Sequence, residues 1–345
     1  MLNNKKIVLG IIGCNGRIGK LHTRNVLFNF PNVRLKYACD TRTEDIKDWC
    51  HNLKIENITD NYREILNDPE VNAVFICTPT PTHVDYIIAA AKAGKNIFCE
   101  KPVSLNPQEI KKALSAVKNN RVKLQIGFMK RFDENYLQLL RRIKQGQIGR
   151  QYTIRIISRD PHLPSLEYLK SSGGIFLDMT CHDFDLLRYL SSSEIEKDFV
   201  TGAAVIDPMI KNIGDFDTVI ITLKFKNGLL GVIENSRKTN YGYDQRVEVF
   251  GSKGCIMVDN PKITQINLNT DKTIISDNPN YWFLERYAQA YIEEIRHFFT
   301  SIEKNSEPLV TGLDSLKSVL VGLAAQKSAK QEKSVEVDYS ICQKM

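Results

Sequence analysis

The chain lacks the cysteine patterns that announce a metal or a disulfide framework. Its eight cysteines (14, 39, 50, 77, 99, 181, 255 and 342) form no C-x-x-C pair and no zinc-ligand spacing. No metal is therefore expected, and thiols lying in apolar, strand-like runs fit a reducing, cytoplasmic setting. Long hydrophobic runs are missing too: no stretch reaches the ~18 apolar residues of a membrane span. The first apolar run, "KIVLGII", is short and leads straight into a glycine-rich turn, so neither a secretion signal nor a membrane partner is expected. Charge of one sign is nowhere massed. The 47 basic and 40 acidic residues are spread along the chain for a net +7, without the basic arm that grips nucleic acid. Internal repeats and low-complexity tracts are also absent. What remains is 345 residues, 42% hydrophobic and 25% charged, the composition of a folded protein with room for two domains.

The first third has the rhythm of a nucleotide fold. The strand-like run at 6–12 ends in "GCNGRIGKLH", and a helical pattern follows. Glycines 13, 16 and 19 let the backbone turn tightly and approach a pyrophosphate, which the free N–H groups and dipole of the helix N-terminus attract. Gly13, Asn15, Gly16, Arg17 and Ile18 are thus candidate cofactor contacts, although the spacing G-x-x-G-x-x-G has one residue more than the usual fingerprint. A second strand, "VRLKYACD" (33–40), ends in Asp40, where an acid accepts hydrogen bonds from the ribose hydroxyls of NAD. Arg42 is the competing signal, since a nearby arginine suits the 2′-phosphate of NADP. Further strands, "NAVFICTPTPTH" (72–83) and "NIFCEKP" (96–102), end in polar, proline-bearing turns. Ligands of open parallel sheets sit beyond the carboxyl ends of the strands, which marks Thr78, Pro79, His83, Glu100 and Lys101.

From about residue 150 the pattern changes to longer alternating strands, "QYTIRIISRD", "DTVIITLKF", "GLLGVIEN" and "QRVEVFGSKGCIMVD", with hairpin turns at "KNG" (226–228) and "GSKG" (251–254). The fold class is accordingly α/β: a Rossmann domain (1–128) with a doubly wound parallel sheet, then an α+β domain (129–345) with a large open, mostly antiparallel sheet. Helices at 174–190 and 283–303 are expected to cover one face of that sheet. A helix at about 314–330 is expected to pack back on the first domain. The other face of the sheet asks for a partner, so a homo-oligomer, dimer or tetramer, is expected.

One helix is peculiar. "GGIFLDMTCHDFDLLRYL" (173–190) is too apolar for an exposed helix, yet read as one continuous helix it sets Asp178, His182 and Asp185 along a single stripe. Buried charge is costly unless paired or used. Asp185 and Arg188 suit an ion pair one turn apart, whereas a D-x-x-x-H pair alone suits a structural pair or a metal half-site better than catalysis.

Five segments together resemble the glucose–fructose oxidoreductase/inositol dehydrogenase (Gfo/Idh/MocA) family: "GRIGKLH" (16–22), "CEKPVSL" (99–105), "GFMKRFDENY" (127–136), "SRDPHLPSLEYLKSSGGIFLDMTCHDFDLLRYL" (158–190) and "YGYDQRVEVFGSKG" (241–254). The resemblance implies an NAD-dependent oxidoreductase acting on a secondary hydroxyl of a cyclic polyol, with myo-inositol going to its 2-keto product. It places the catalytic set on Lys101, Asp178 and His182, with substrate contacts on Lys130, Asp160 and Tyr243. His182, with an ordinary pKa of roughly 6.5, would take the hydroxyl proton, and Lys101 would donate to the substrate oxygen. Some relatives carry Arg at Lys130 and Asn at Asp160. Alternatives are another sugar, a sugar phosphate or scyllo-inositol as substrate, or a non-catalytic NAD-binding regulator.

Overall fold

The computed structural model describes residues 6–344. The chain divides into two units. The first takes the chain up to Met129 together with Gln289–Lys317 and the stretch from Ser340; the second is Lys130–Ala288 with Ser318–Tyr339.

The first unit is built on a six-stranded sheet of β1 (Val8–Ile12), β2 (Arg34–Cys39), β3 (Asn57–Thr59), β4 (Ala73–Ile76), β5 (Asn96–Cys99) and β6 (Leu124–Ile126). All pairings are parallel and the order is 3-2-1-4-5-6. That is the doubly wound order, in which the strand order reverses between β1 and β4 and leaves a crevice past their carboxyl ends. Strands covered on both faces read as continuous apolar runs, and β1 and β4 are buried at every position.

The helix Ala288–Glu303 belongs almost wholly to this unit, contrary to its expected place on the second sheet. Its Ile295, Phe298 and Phe299 join the core of Leu9, Ile11, Phe75 and Phe98. Phe299 meets Phe30 edge-on at 5.2 Å between ring centroids, and Phe298 meets Phe75 at 5.8 Å. An amphipathic pattern shows which helix face is apolar, not which sheet receives it.

The second unit holds β7 (Gln151–Arg159), β8 (Ile195–Ala203), β9 (Thr218–Phe225), β10 (Leu230–Ser236), β11 (Asp244–Gly251), β12 (Gly254–Val258), a separate small hairpin of β13 (Asn267–Asn269) and β14 (Ile274–Ser276), and β15 (Val335–Glu336). Its seven-stranded sheet runs β12-β11-β7-β10-β9-β8-β15 and is antiparallel except at β7–β10. The two turns expected at 226–228 and 251–254 do join antiparallel neighbours, with Gly228 at φ +86. Alternation is clean on β9: Val219, Ile221, Leu223 and Phe225 are buried, while Ile220, Thr222 and Lys224 are exposed.

The last long helix, Gly312–Gln331, also departs from expectation. Only its start belongs to the first unit, where Gly312 lies against Leu114 and Leu124. From Ser318 onward it packs in the second: Ser318 Oγ donates to the Cys181 carbonyl at 2.7 Å, and Gly322 lies against Leu177 and the Phe176 carbonyl. A Cβ at Gly322 would come 2.5 Å from Leu177 Cδ2, so a larger residue there would make the Leu177 side chain shift.

Candidate active site

Two groups of predicted residues fall in different units. In the first unit, the turn after β1 has the shape a dinucleotide needs. Gly13 sits at φ +85, and a Cβ on it would strike Cys77 and Thr78 at 2.8 Å. A Cβ on Gly19 would come 2.1 Å from the Gly13 carbonyl oxygen, so the helix Arg17–Asn29 is pressed against the turn. Gly16 caps that helix without a side chain, so no side-chain oxygen occupies its N-terminal N–H groups. Asp40 stands half-buried at the end of β2, accepting from the Asn15 N–H at 2.9 Å and the Arg42 N–H at 3.2 Å. A carboxylate oxygen has a second lone pair, so Asp40 keeps acceptor capacity for ribose hydroxyls while bracing the glycine turn. Arg42 is exposed, with Nε 3.5 Å from Asp45. The residues present therefore fit NAD: an uncapped helix start for the pyrophosphate and a fixed acid that a 2′-phosphate would meet with repulsion.

Thr78, Pro79 and His83 follow β4. His83 is buried, with Nδ1 2.8 Å from the Pro102 carbonyl and Nε2 2.7 Å from the Thr78 carbonyl. Burial pushes its imidazole below the ordinary histidine range, and a neutral ring donates to one carbonyl at a time. Both nitrogens thus face loop carbonyls, and His83 ties the turn after β4 to the one after β5. Glu100 and Lys101 follow β5; the Glu100 carboxylate lies 2.7 Å from the His22 imidazole Nε2.

In the second unit the long helix expected at 174–190 is broken. Gly174–Asp178 and Cys181–Ser191 are separate segments, and the Thr180 N–H bonds the Ile175 carbonyl five residues back at 2.9 Å. The Thr180 hydroxyl also reaches that carbonyl (3.1 Å) and Asn235 Oδ1 (2.6 Å). Asp178 therefore ends one segment and His182 lies in the first turn of the next, and the single stripe through Asp185 does not exist. Asp185 is buried against Arg131, which donates to both its oxygens at 2.7 and 2.5 Å, with Arg188 3.8 Å away. The ion pair expected with Arg188 is present, but Arg131 is the main partner.

Asp178 is fixed by two residues that sequence reasoning missed. The Tyr168 hydroxyl donates to Oδ1 at 2.8 Å and Arg237 Nη1 donates to Oδ2 at 3.3 Å. Arg237 is 1% exposed at its side chain. Its signal was available: it continues the inward parity of Gly231, Ile233 and Asn235 beyond the end of β10. Asp160 lies half-buried just past β7, close enough to feel Arg237, Asp178, Lys130 and Asp183. Burial is the largest influence on it and pushes its carboxyl up to about 7. Tyr243 is buried beside Trp282 and Tyr287.

Lys130 differs from its expected role. It is 3% exposed, and its ammonium donates to Asp183 (2.7 Å), Gln245 (2.8 Å) and Ser158 (3.4 Å). Three donors meet three acceptors, leaving none for a substrate. Asp183, absent from the predicted set, is the hub of this network and also accepts from Ser158 and Asn235. Through Asp183 the segment carrying His182 is thus anchored to Ser158 of β7 and Asn235 of β10.

Comparison with known proteins places both units. Residues 7–128 match the oxidoreductase family with NAD-binding Rossmann fold, and residues 136–257 match the GFO/IDH/MocA C-terminal domain. The chain is 44% identical to an uncharacterized oxidoreductase of Bacillus subtilis, over 97% of this chain and 98% of that one. It is 41% identical to a myo-inositol 2-dehydrogenase of Thermotoga maritima, over 96% and 98%. Among solved structures, the scyllo-inositol dehydrogenase of Lactobacillus casei with bound NAD(H) and scyllo-inositol superposes with a TM-score of 0.89 at 29% identity, covering 96% of this chain and 99% of that one. With both units matched and full-length relatives above 40% identity, the chain belongs to the Gfo/Idh/MocA family of NAD-binding oxidoreductases.

Proposed function

We propose that the protein oxidises a secondary hydroxyl of a cyclic polyol with NAD, converting myo-inositol to 2-keto-myo-inositol (scyllo-inosose), with Lys101, Asp178 and His182 as its catalytic residues. The observation that carries the reading is the state of Asp178: a carboxylate held by Tyr168 and Arg237, four residues before a histidine, in a chain 41% identical to a myo-inositol 2-dehydrogenase. NAD, when bound, supplies the acceptor for the hydride on the carbinol carbon. His182 takes the hydroxyl proton, Asp178 stabilises the resulting imidazolium, and Lys101 donates to the substrate oxygen as negative charge grows on it. Asp160 and Tyr243 hold neighbouring hydroxyls; Lys130 acts through Asp183 on the placement of the His182 segment. The likeness to a scyllo-inositol dehydrogenase supports that isomer as the second reading.

The same reading extends to assembly and place. The face of the second sheet opposite its buried residues exposes Phe199, Ile220, Leu230, Phe250 and Met257, an apolar surface that a second copy covers in a homodimer or homotetramer. All eight cysteines are free thiols, and no described helix is long and apolar enough to cross a membrane, which suits the cytoplasm.

The test is NADH formation with myo-inositol, scyllo-inositol, glucose, xylose and glucose 6-phosphate. Highest kcat/KM on myo-inositol is expected. Activity confined to glucose 6-phosphate, or tight NAD binding with no turnover of any polyol, would reject the proposal.

A further inference from the structure

The first unit buries three titratable side chains that the proposed reaction does not use directly. His22, on the helix Arg17–Asn29, is fully buried; Glu294, on Ala288–Glu303, is fully buried; Glu100 ends β5 with a side chain 13% exposed. One ligating atom from each lies within 4.8 Å of the others. His22 Nε2 is 2.7 Å from Glu100 Oε1 and 4.0 Å from Glu294 Oε1. Phe75, Phe98 and Tyr291 wall the imidazole edge-on at 5.1–5.9 Å.

Glu294 is the anomaly. Both of its carboxyl oxygens are buried and neither has a hydrogen-bond partner among the described residues. His22 is its one ion-pairing neighbour among them, and that imidazole is already committed to Glu100. An ionised carboxylate in such a place costs far more than a neutral acid, because nothing replaces the lost water. Two negative carboxylates around one imidazole would add mutual repulsion in a low-dielectric setting. A metal ion would balance that charge, but among the described residues His22 Nδ1 lacks the second partner that metal-bound imidazoles have. A single proton resolves the balance with the atoms at hand.

We propose that Glu294 stands as the un-ionised acid and that, with His22, it forms a positioning cluster that fixes Glu100 and so the direction of the adjoining Lys101. Burial first, and the charge of Glu100 second, push the Glu294 carboxyl well above the usual range. The buried thiol of Cys77 nearby is likewise pushed up, by burial first and then by the charge of Glu100. Gly127 completes the fit: a Cβ there would lie 3.0 Å from Glu100 Oε2, so a larger residue would displace the carboxylate. The inference rests on the catalytic role proposed for Lys101.

The test uses the full-length protein. Infrared difference spectra of wild type against Glu294→Gln should show the carbonyl stretch of a neutral carboxylic acid at neutral pH, lost in the variant. Glu294→Ala should lower kcat by about tenfold with the NAD Kd unchanged, the size of a small misplacement of a catalytic group. Glu294→Gln, which has the shape and charge of the neutral acid, should restore it. Absence of the acid band, failure of glutamine to rescue, or a stoichiometric metal ion in the purified protein would each overturn the inference. Lys101→Ala is the separate control: full activity in that variant, with the acid band present, would reject the role of Lys101 and leave the neutral Glu294 standing.

Discussion

Asp160 is where pH enters at the scale of one residue. Its carboxyl, pushed up to about 7 chiefly by burial, loses its proton inside the working range rather than far below it. In its proposed substrate role it accepts from a hydroxyl when deprotonated and offers a donor when protonated. The pH profile of kcat/KM should therefore carry an apparent pKa near 7, and Asp160→Asn should remove that inflection. An unchanged profile would take Asp160 out of the substrate site. The residues also show what sequence reading reaches. Gly13 and Gly19 were legible because positive φ and a 2.1 Å approach admit nothing larger, a demand local to a few positions. The burial of Lys130 was not legible, because its partners Asp183 and Gln245 lie 53 and 115 residues away and leave no local mark on the lysine.

Among the elements, β8 presents the clearest energetic test. Asp198 on that strand is 1% exposed, and neither carboxyl oxygen finds a hydrogen-bond partner among the described residues. Burial alone pushes it up to about 7 from an ordinary 3.8. Below pH ~4 both folded and unfolded chains hold this proton. Between there and about 7 only the folded chain keeps it, so rising pH draws the unfolded state down in free energy and the protein loses stability. Asp198→Asn abolishes that loss. It should stabilise the protein by a few kcal/mol at pH 8, at ~1.4 kcal/mol for every tenfold difference in proton affinity between the folded and unfolded chains, and far less at pH 4. Chemical denaturation at the two pH values measures it; equal effects at both would contradict the account. The elements repeat the lesson of legibility. The period of two on β9 and the glycine turns of the hairpins gave strands and pairings directly. The break at Thr180 was hidden, because it depends on Asn235 arriving from β10 to hold the threonine hydroxyl.

At the scale of the whole molecule, two expectations differ in how far local pattern reaches. The open apolar face of the second sheet follows from alternation alone, and its burial by a second copy is the assembly proposed. Ile220→Lys, in the middle of that face, should shift the protein to smaller species in light scattering while each chain keeps its fold; an unchanged mass would place the interface elsewhere. The placement of the helices Ala288–Glu303 and Gly312–Gln331 was beyond reach, since both return from the end of the chain to partners more than a hundred residues earlier.

In the proposed reaction His182 takes the hydroxyl proton as the hydride leaves. The most direct measurement compares steady-state kcat and NAD affinity of wild type and His182→Ala on the best polyol. The variant's kcat should be lower by roughly 100-fold to 10,000-fold, the range of a positioned general base, with the NAD Kd unchanged. A variant that keeps near-normal kcat would contradict it.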